Sequence, residues 1–337
     1  MLRVSFYSRL EIPTPMAKTL AAAFRRQHSA ALRDLQPSPG VVRSSLLALS
    51  HVAVGVGAAA ANVWLWKNGH ATAAAVLYPA TSFVIGTRFR ALCNMMHESV
   101  HNTLAATPIQ NKRIGQALSL FDFTNYEAYA REHLTHHRYL GDPERDLDFA
   151  ARRDLFLDGD SKSFLTKHML RPLTLFHVRR YIDPSVWSKT ESLRMRLVRL
   201  AYITALALLA TFVIGWPALL LFYLVPYATA YQVVRYWSDA VDHAGTLDAP
   251  DEFYRARNHI SGSATVNWLL FPDSDQYHLV HHLFPAVPAG KLRAAHERLL
   301  ADPLYAKREH GFGPLVFGAE VRADVRGASL PPPPQRA

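Results

Sequence analysis

Cysteine is all but absent from this 337-residue sequence, where Cys93 stands alone. One thiol closes no intramolecular disulfide and builds no thiolate-ligated zinc or iron–sulfur site. No Gly-x-Gly-x-x-Gly nucleotide loop, no His-Pro-Gly-Gly haem-binding segment and no internal repeat occurs. Lysine is scarce, 8 against 29 arginines, which suggests a GC-rich, bacterial genome. Charged residues make up 19% and hydrophobic residues 50%, which excludes a disordered acidic chain and a collagen-like repeat but not a membrane protein. The net charge of +10 suits nucleic acid or an anionic membrane surface, depending on where it lies.

Charge is missing altogether from long runs. Ser44 to Trp66 and Asn68 to Thr87 carry none, and neither does the stretch between Arg199 and Arg235. The last would be about 50 Å long as one straight helix, too long for a hydrocarbon core of about 30 Å. Its Gly215-Trp216-Pro217 turn divides it into a hairpin. The expectation is an all-α integral membrane protein with four transmembrane helices in two hairpins (about 44–66, 68–90, 198–214 and 217–238), and a helical cap on one side. For any one run, above all the alanine-rich first, a buried core helix is the bland alternative. Four spans put nearly every Lys and Arg on the cap side and only Lys67 opposite, so the cap and both termini are expected to be cytoplasmic, in a bacterial inner membrane. That placement sets topology, and nucleic acid drops out as a partner. Residues 1–40 read as an N-terminal cytoplasmic or interfacial segment, 41–326 as the membrane domain and 327–337 as a disordered proline-rich tail. Within the first segment, residues 15–36 suggest a basic amphipathic helix, on the membrane or solvated. Residues 114–123 are apolar but too short to span, which suggests a re-entrant or interfacial helix.

Histidine is what the chain has in excess, at 17 residues. Three clusters stand out: His97-Glu-Ser-Val-His101, His133-Leu-Thr-His136-His137 and His278-Leu-Val-His281-His282. On a helix, rings four apart lie on one face, whereas adjacent rings diverge by about 100°. Both members of an adjacent pair therefore cannot easily join the first ring on one metal, which hints at two metals shared between helices. A lone His-x-x-x-His is more often structural; two His-x-x-His-His clusters at the same membrane face are expensive to bury unless they bind something. His243 is a ninth candidate at the end of the fourth run, on one helical face with Asp239, though a histidine at a helix end also suits the dipole. The other eight, with His259 the least certain, read as structural or exposed.

His97-Glu98-x-x-His101 is also the signature of zinc peptidases, so a membrane protease is a rival reading. It leaves the other clusters idle, since a catalytic zinc takes three protein ligands and an open position. A metal carrier is a second rival, but it needs polar residues along the spans, which are bare. Nine imidazoles suffice for two ions, and iron suits a dinuclear redox centre.

The order of these clusters around two hairpins resembles the membrane fatty acid desaturase family, with its related lipid and carotenoid hydroxylases and ketolases. The match runs over roughly residues 41–300 and is most specific in NWLLFPDSDQYHLVHHLFPAVPAGKLRAAH, from Asn267 to His296, and in AREHLTHHRYLGDPERDLDF, from Ala130 to Phe149. The resemblance implies two non-haem iron ions held by His97, His101, His133, His136, His137, His243, His278, His281 and His282. His243, after Asp242, stands where many members carry a further ligand, and Asp239 where some hold a metal-bound water. It implies O₂-dependent removal of hydrogen from an unactivated C–H bond of a fatty acyl chain, giving a double bond, or an alcohol in the hydroxylases. Electrons would come from a separate donor, a ferredoxin or a cytochrome b5-like protein, steered to the basic face. Glu98, Asp142, Asp146 and Asp148 lie near the clusters as acceptors for the outer ring nitrogens, or as ordinary acidic partners of Arg138 and Arg145.

Overall fold

A computed structural model describes residues 19–186 and 191–317. These residues are helical, with no strand among them and a single isolated bridge between Ile260 and Gly311. The main helices are α1 (Leu20–His28), α2 (Val41–Lys67), α3 (Ala71–Val100), α4 (Pro108–Leu118), α5 (Tyr126–Tyr139), α6 (Leu193–Ile214), α7 (Trp216–His243), α8 (His278–Leu283) and α9 (Leu292–Leu299), joined by shorter helical turns.

α2 is patterned inside out. Its buried residues are the polar Ser44, His51 and Asn62, whereas Leu46, Val56 and Trp66 are each more than 60% exposed. An exposed apolar face of that length needs an apolar surrounding. Inward polar groups are satisfied locally: the Asn62 amide donates to Ala74 O at 3.0 Å and to Thr81 Oγ1 at 3.3 Å, stitching α2 to α3 across the Asn68–Gly69 turn. α6 is similarly bare outside, with Phe212 and Val213 exposed, and turns into α7 at Gly215 (φ +82°) ahead of Pro217. Glycine adopts that backbone conformation without the Cβ penalty of other residues.

Three helices are long and apolar enough to cross a membrane: α2, α6 and α7. α3 contains the second expected span but is not among them. Its charge-free run passes without a break into a buried segment carrying Arg88, Asn94, Glu98 and Ser99, so one 30-residue helix begins as an apolar rod and ends buried within the protein. The amphipathic N-terminal segment also differs from expectation. Residues 15–18 lie outside the described residues. In α1, Leu20, Ala21 and Phe24 are buried within the protein, Phe24 lying 5.1 Å from Phe253 between ring centroids. The Asp251 carboxylate accepts from the backbone N–H groups of Leu20 and Ala21, and Arg25 pairs with Glu252. The apolar face, expected on the membrane or on a solvated helix, thus packs within the protein. The 114–123 segment forms the end of α4 and the turn after it, packing on α3 and α7, with Asp122 accepting from the Tyr231 hydroxyl at 2.7 Å. The tail 327–337 lies outside the described residues.

Candidate metal centre

Four helices bring their histidines together. α3 brings His97 and His101, α5 brings His133, His136 and His137, α7 ends on His243, and α8 consists of little more than its three histidines. α5 is started locally by Asn125, whose side chain accepts from the Ala128 N–H at 3.1 Å, a standard N-cap.

The nine rings fall into two groups. His97, His101, His133, His137 and His281 form one, and His136, His243, His278 and His282 the other; within each group the candidate ligand atoms lie within 4.8 Å of one another. Helical geometry explains the sorting. The i,i+4 pairs 97/101, 133/137 and 278/282 stay together, whereas His136 and His281, one residue off those faces, cross to the opposite group. The groups abut where the His137 and His282 rings stack at 4.4 Å.

Nε2 atoms face inward in close pairs, His101 to His133 at 3.0 Å, His137 to His281 at 3.1 Å, and His278 to both His243 and His282 at 2.9 and 3.0 Å. Outer nitrogens meet acceptors: His133 Nδ1 lies 3.2 Å from Asp148, His136 Nδ1 3.1 Å from Asp146, and His243 Nδ1 2.9 Å from the Arg255 carbonyl. His278 Nδ1 is 3.4 Å from Asp242. Such outer bonds fix the tautomer that leaves Nε2 free to ligate. Asp142 differs from its acidic neighbours: it pairs with Arg145 and reaches no ring.

Burial disfavours charge on these rings. His97, His101, His137, His278, His281 and His282 are held well below the ordinary histidine range by burial first and by neighbouring imidazoles second. On His136 burial acts in the same direction but Asp146 outweighs it, and the ring shifts upward. A set of neutral imidazoles converging by Nε2, without thiolates, fits two transition-metal ions with nitrogen preference.

Glu98 is buried beside the five-ring group and belongs to neither group. Burial lifts its carboxyl to about 7, and it accepts from the Thr103 hydroxyl at 2.7 Å and the Ala289 N–H at 2.8 Å, with its other oxygen 3.9 Å from His281 Nδ1. His97 and His101 share their group with three more rings, which is not the three-ligand open site of a zinc peptidase. Asp239 belongs to neither group. Its Oδ2 accepts from Arg152 at 2.9 Å and from the Tyr181 hydroxyl at 2.8 Å, and it lines a polar cavity of about 60 Å³ beside His133, His136, His243 and His278.

Three residues escaped the sequence reading. Arg152 joins Asp239 to Asp148 (2.7 Å) and so to His133, and Tyr181 braces the same carboxylate. His259, fully buried, sets Nδ1 3.2 Å from the second oxygen of Asp242, behind His278. Arg152 trails the second cluster in the acidic turn, a weak signal; His259 has no helical spacing to any ligand.

Known proteins agree with this centre. A family model described as "Fatty acid desaturase" matches residues 73–313. The chain is 28% identical to dihydrorhizobitoxine desaturase of Bradyrhizobium elkanii, over 74% of this chain and 75% of that protein. It is 23% identical to an endoplasmic-reticulum omega-3 fatty acid desaturase of Nicotiana tabacum, over 72% of this chain and 70% of that protein. With four histidine-bearing helix ends inside the matched region, the chain belongs to the fatty acid desaturase family, whose members are oxidoreductases.

Proposed function

We propose that this protein is an O₂-dependent membrane desaturase that introduces a double bond into a fatty acyl chain, using two iron ions held by the nine histidines. The observation that carries the reading is the sorting of those rings, brought by α3, α5, α7 and α8, into groups of five and four with Nε2 inward. Iron bound there would supply the redox chemistry with O₂ that removes hydrogen from an unactivated C–H bond. The protein's own part is to disfavour charge on most of these rings by burial, hold the outer nitrogens of His136, His133, His278 and His243 on Asp146, Asp148, Asp242 and the Arg255 carbonyl, and shield the site from bulk water. Asp239, held by Arg152 and Tyr181 on a cavity with room for a water, is the candidate to orient one beside the metals.

In this reading four spans (about 44–66, 68–90, 198–214 and 217–238) set the metal end and both termini on the cytoplasmic side of a bacterial inner membrane. The distribution of Arg and Lys supports it, since only Lys67 falls in the opposite loops. A separate ferredoxin or cytochrome b5-like donor supplies electrons at the basic face. A second reading, favoured by the bacterial relative, is a desaturase for a substrate of the kind that relative's name states.

Expression in a host with simple lipids, followed by lipid mass spectrometry and metal analysis, tests the proposal. It expects about two irons per chain and products lighter by two hydrogens. A gain of oxygen would indicate a hydroxylase or ketolase. One zinc with Glu98-dependent peptidase activity, or metal transport without oxygen consumption, would overturn it.

A further inference from the structure

α2 does not close against the α6–α7 hairpin. An apolar groove runs between them as two connected cavities of about 690 and 580 Å³ that share Val63, Lys67, Ile214, Ala218 and Phe222. Each has the size of a pocket for a small organic ligand. The α3 residues lining it, from Ala74 to Leu92, cover about 27 Å at 1.5 Å per residue, close to the hydrocarbon thickness of a bilayer.

Its two ends are unlike. Lys67, at one, is exposed; at the other, Arg88 is 2% exposed and His51 lies beside it. The Arg88 guanidinium donates to Trp268 O at 2.8 Å and to the Thr87 hydroxyl at 3.2 Å, reaches His51 Nδ1 at 3.3 Å, and lies 4.0 Å over the Trp268 ring. None of these partners is a carboxylate; the nearest acid, Asp273, lies behind the ring, 3.3 Å from His51 Nε2. Among the described residues no carboxylate pairs with Arg88 directly. A buried guanidinium without an anion is costly, and its planar fork matches phosphate geometry. Arg88 also precedes His97 by nine residues, about 13 Å along α3, so an anion there sits at the histidine-cluster end of the apolar zone, clear of the nine candidate ligands.

We propose that this groove is a binding site for an anionic membrane phospholipid, with its phosphate on Arg88 and an acyl chain lying between α2 and the α6–α7 hairpin. The inference needs only the membrane placement of the hairpins and none of the redox chemistry, so lipid retention and turnover fail independently.

The test reconstitutes the full chain in bilayers of equal phosphatidylglycerol and phosphatidylcholine, extracts it into mild detergent and counts retained lipids by native mass spectrometry. The expected result is about one lipid per chain, with phosphatidylglycerol enriched at least tenfold. Arg88→Gln should abolish the enrichment and Lys67→Gln should keep it. Should Arg88→Gln fail to fold by circular dichroism, Ala59→Trp decides: it fills the groove, leaves Arg88 intact and should lose the bound lipid. Equal retention of the two lipids, enrichment that survives Arg88→Gln or disappears in Lys67→Gln, lipid still bound in Ala59→Trp, or a lipid-free dimer would each overturn the proposal.

Discussion

A histidine ligand is only as well aimed as the acceptor behind it. Asp146 is buried, accepts from the Gly141 N–H at 3.0 Å and faces His136 Nδ1, so one carboxylate ties the turn after α5 to the four-ring group. Asp146→Asn preserves the shape but replaces an oxygen by an N–H donor. Loss of such an outer partner typically costs 10- to 100-fold in metal affinity or activity, and metal titration of the variant should fall in that range. A more selective test follows from the sorting of rings. His136→Ala empties one place in the four-ring group and none in the five-ring group, so metal analysis should find iron falling from about two toward one per chain. Equal loss of both ions would argue against separate groups. The clusters and their face-sharing were legible in the sequence because both follow from helical period alone. What period cannot supply is the partner across space: Asp142 and Asp146 look equivalent in the sequence, yet one is taken by Arg145 and the other reaches a ring.

Helices bring these residues together only if they approach closely. α3 crosses α7 at Gly86, where an added Cβ would meet Ala230 Cβ and the Tyr231 backbone nitrogen, each at 2.7 Å. Backbone cannot rotate aside as a side chain does. Gly86→Ala should therefore destabilise by about 1–3 kcal/mol through overpacking. Gly57→Ala in α2 is the contrast, since nothing lies within 4 Å of its added Cβ. Removing a mid-helix glycine there should stabilise by roughly 0.5–1 kcal/mol. Denaturation in mixed micelles reads both, and the opposite signs are the prediction. At this scale the sequence was informative about apolar runs and less so about what they join. Counting charges ended the second run at Thr87, whereas α3 continues to Val100, because buried partners for Arg88, Asn94 and Glu98 let polar residues extend the helix inward. For α1 the reason is related: amphipathicity gives the width of an apolar face, and the surface that covers it, here Phe253 and its neighbours, lies more than 200 residues away.

For the molecule as a whole, an acid-sensitive element lies apart from the two histidine groups. His296 on α9 is held neutral, its range lowered to about 4 by burial first and by His310 second, with Nδ1 accepting from the Tyr305 hydroxyl at 2.8 Å. An unfolded histidine takes up its proton near pH 6.5. The folded ring resists, so its contribution to stability is complete above about 6.5 and is lost as pH falls through about 4. Thermal unfolding between those values should show the decline, and His296→Gln should flatten part of it. The overall architecture of apolar hairpins and a histidine-rich end could be read from composition and spacing. The network of Arg152, Asp239 and Tyr181 could not, because it joins three segments whose approach only tertiary packing decides. One consequence concerns how the protein matures. α5 and α8 each give rings to both groups, and the segments that must meet are spread from His97 to His282. No group is complete until the last helix docks, so a nascent chain would offer a metal only a partial set of rings. Metal bound by these groups would then favour chains already correctly assembled, because its binding energy adds to that of folding.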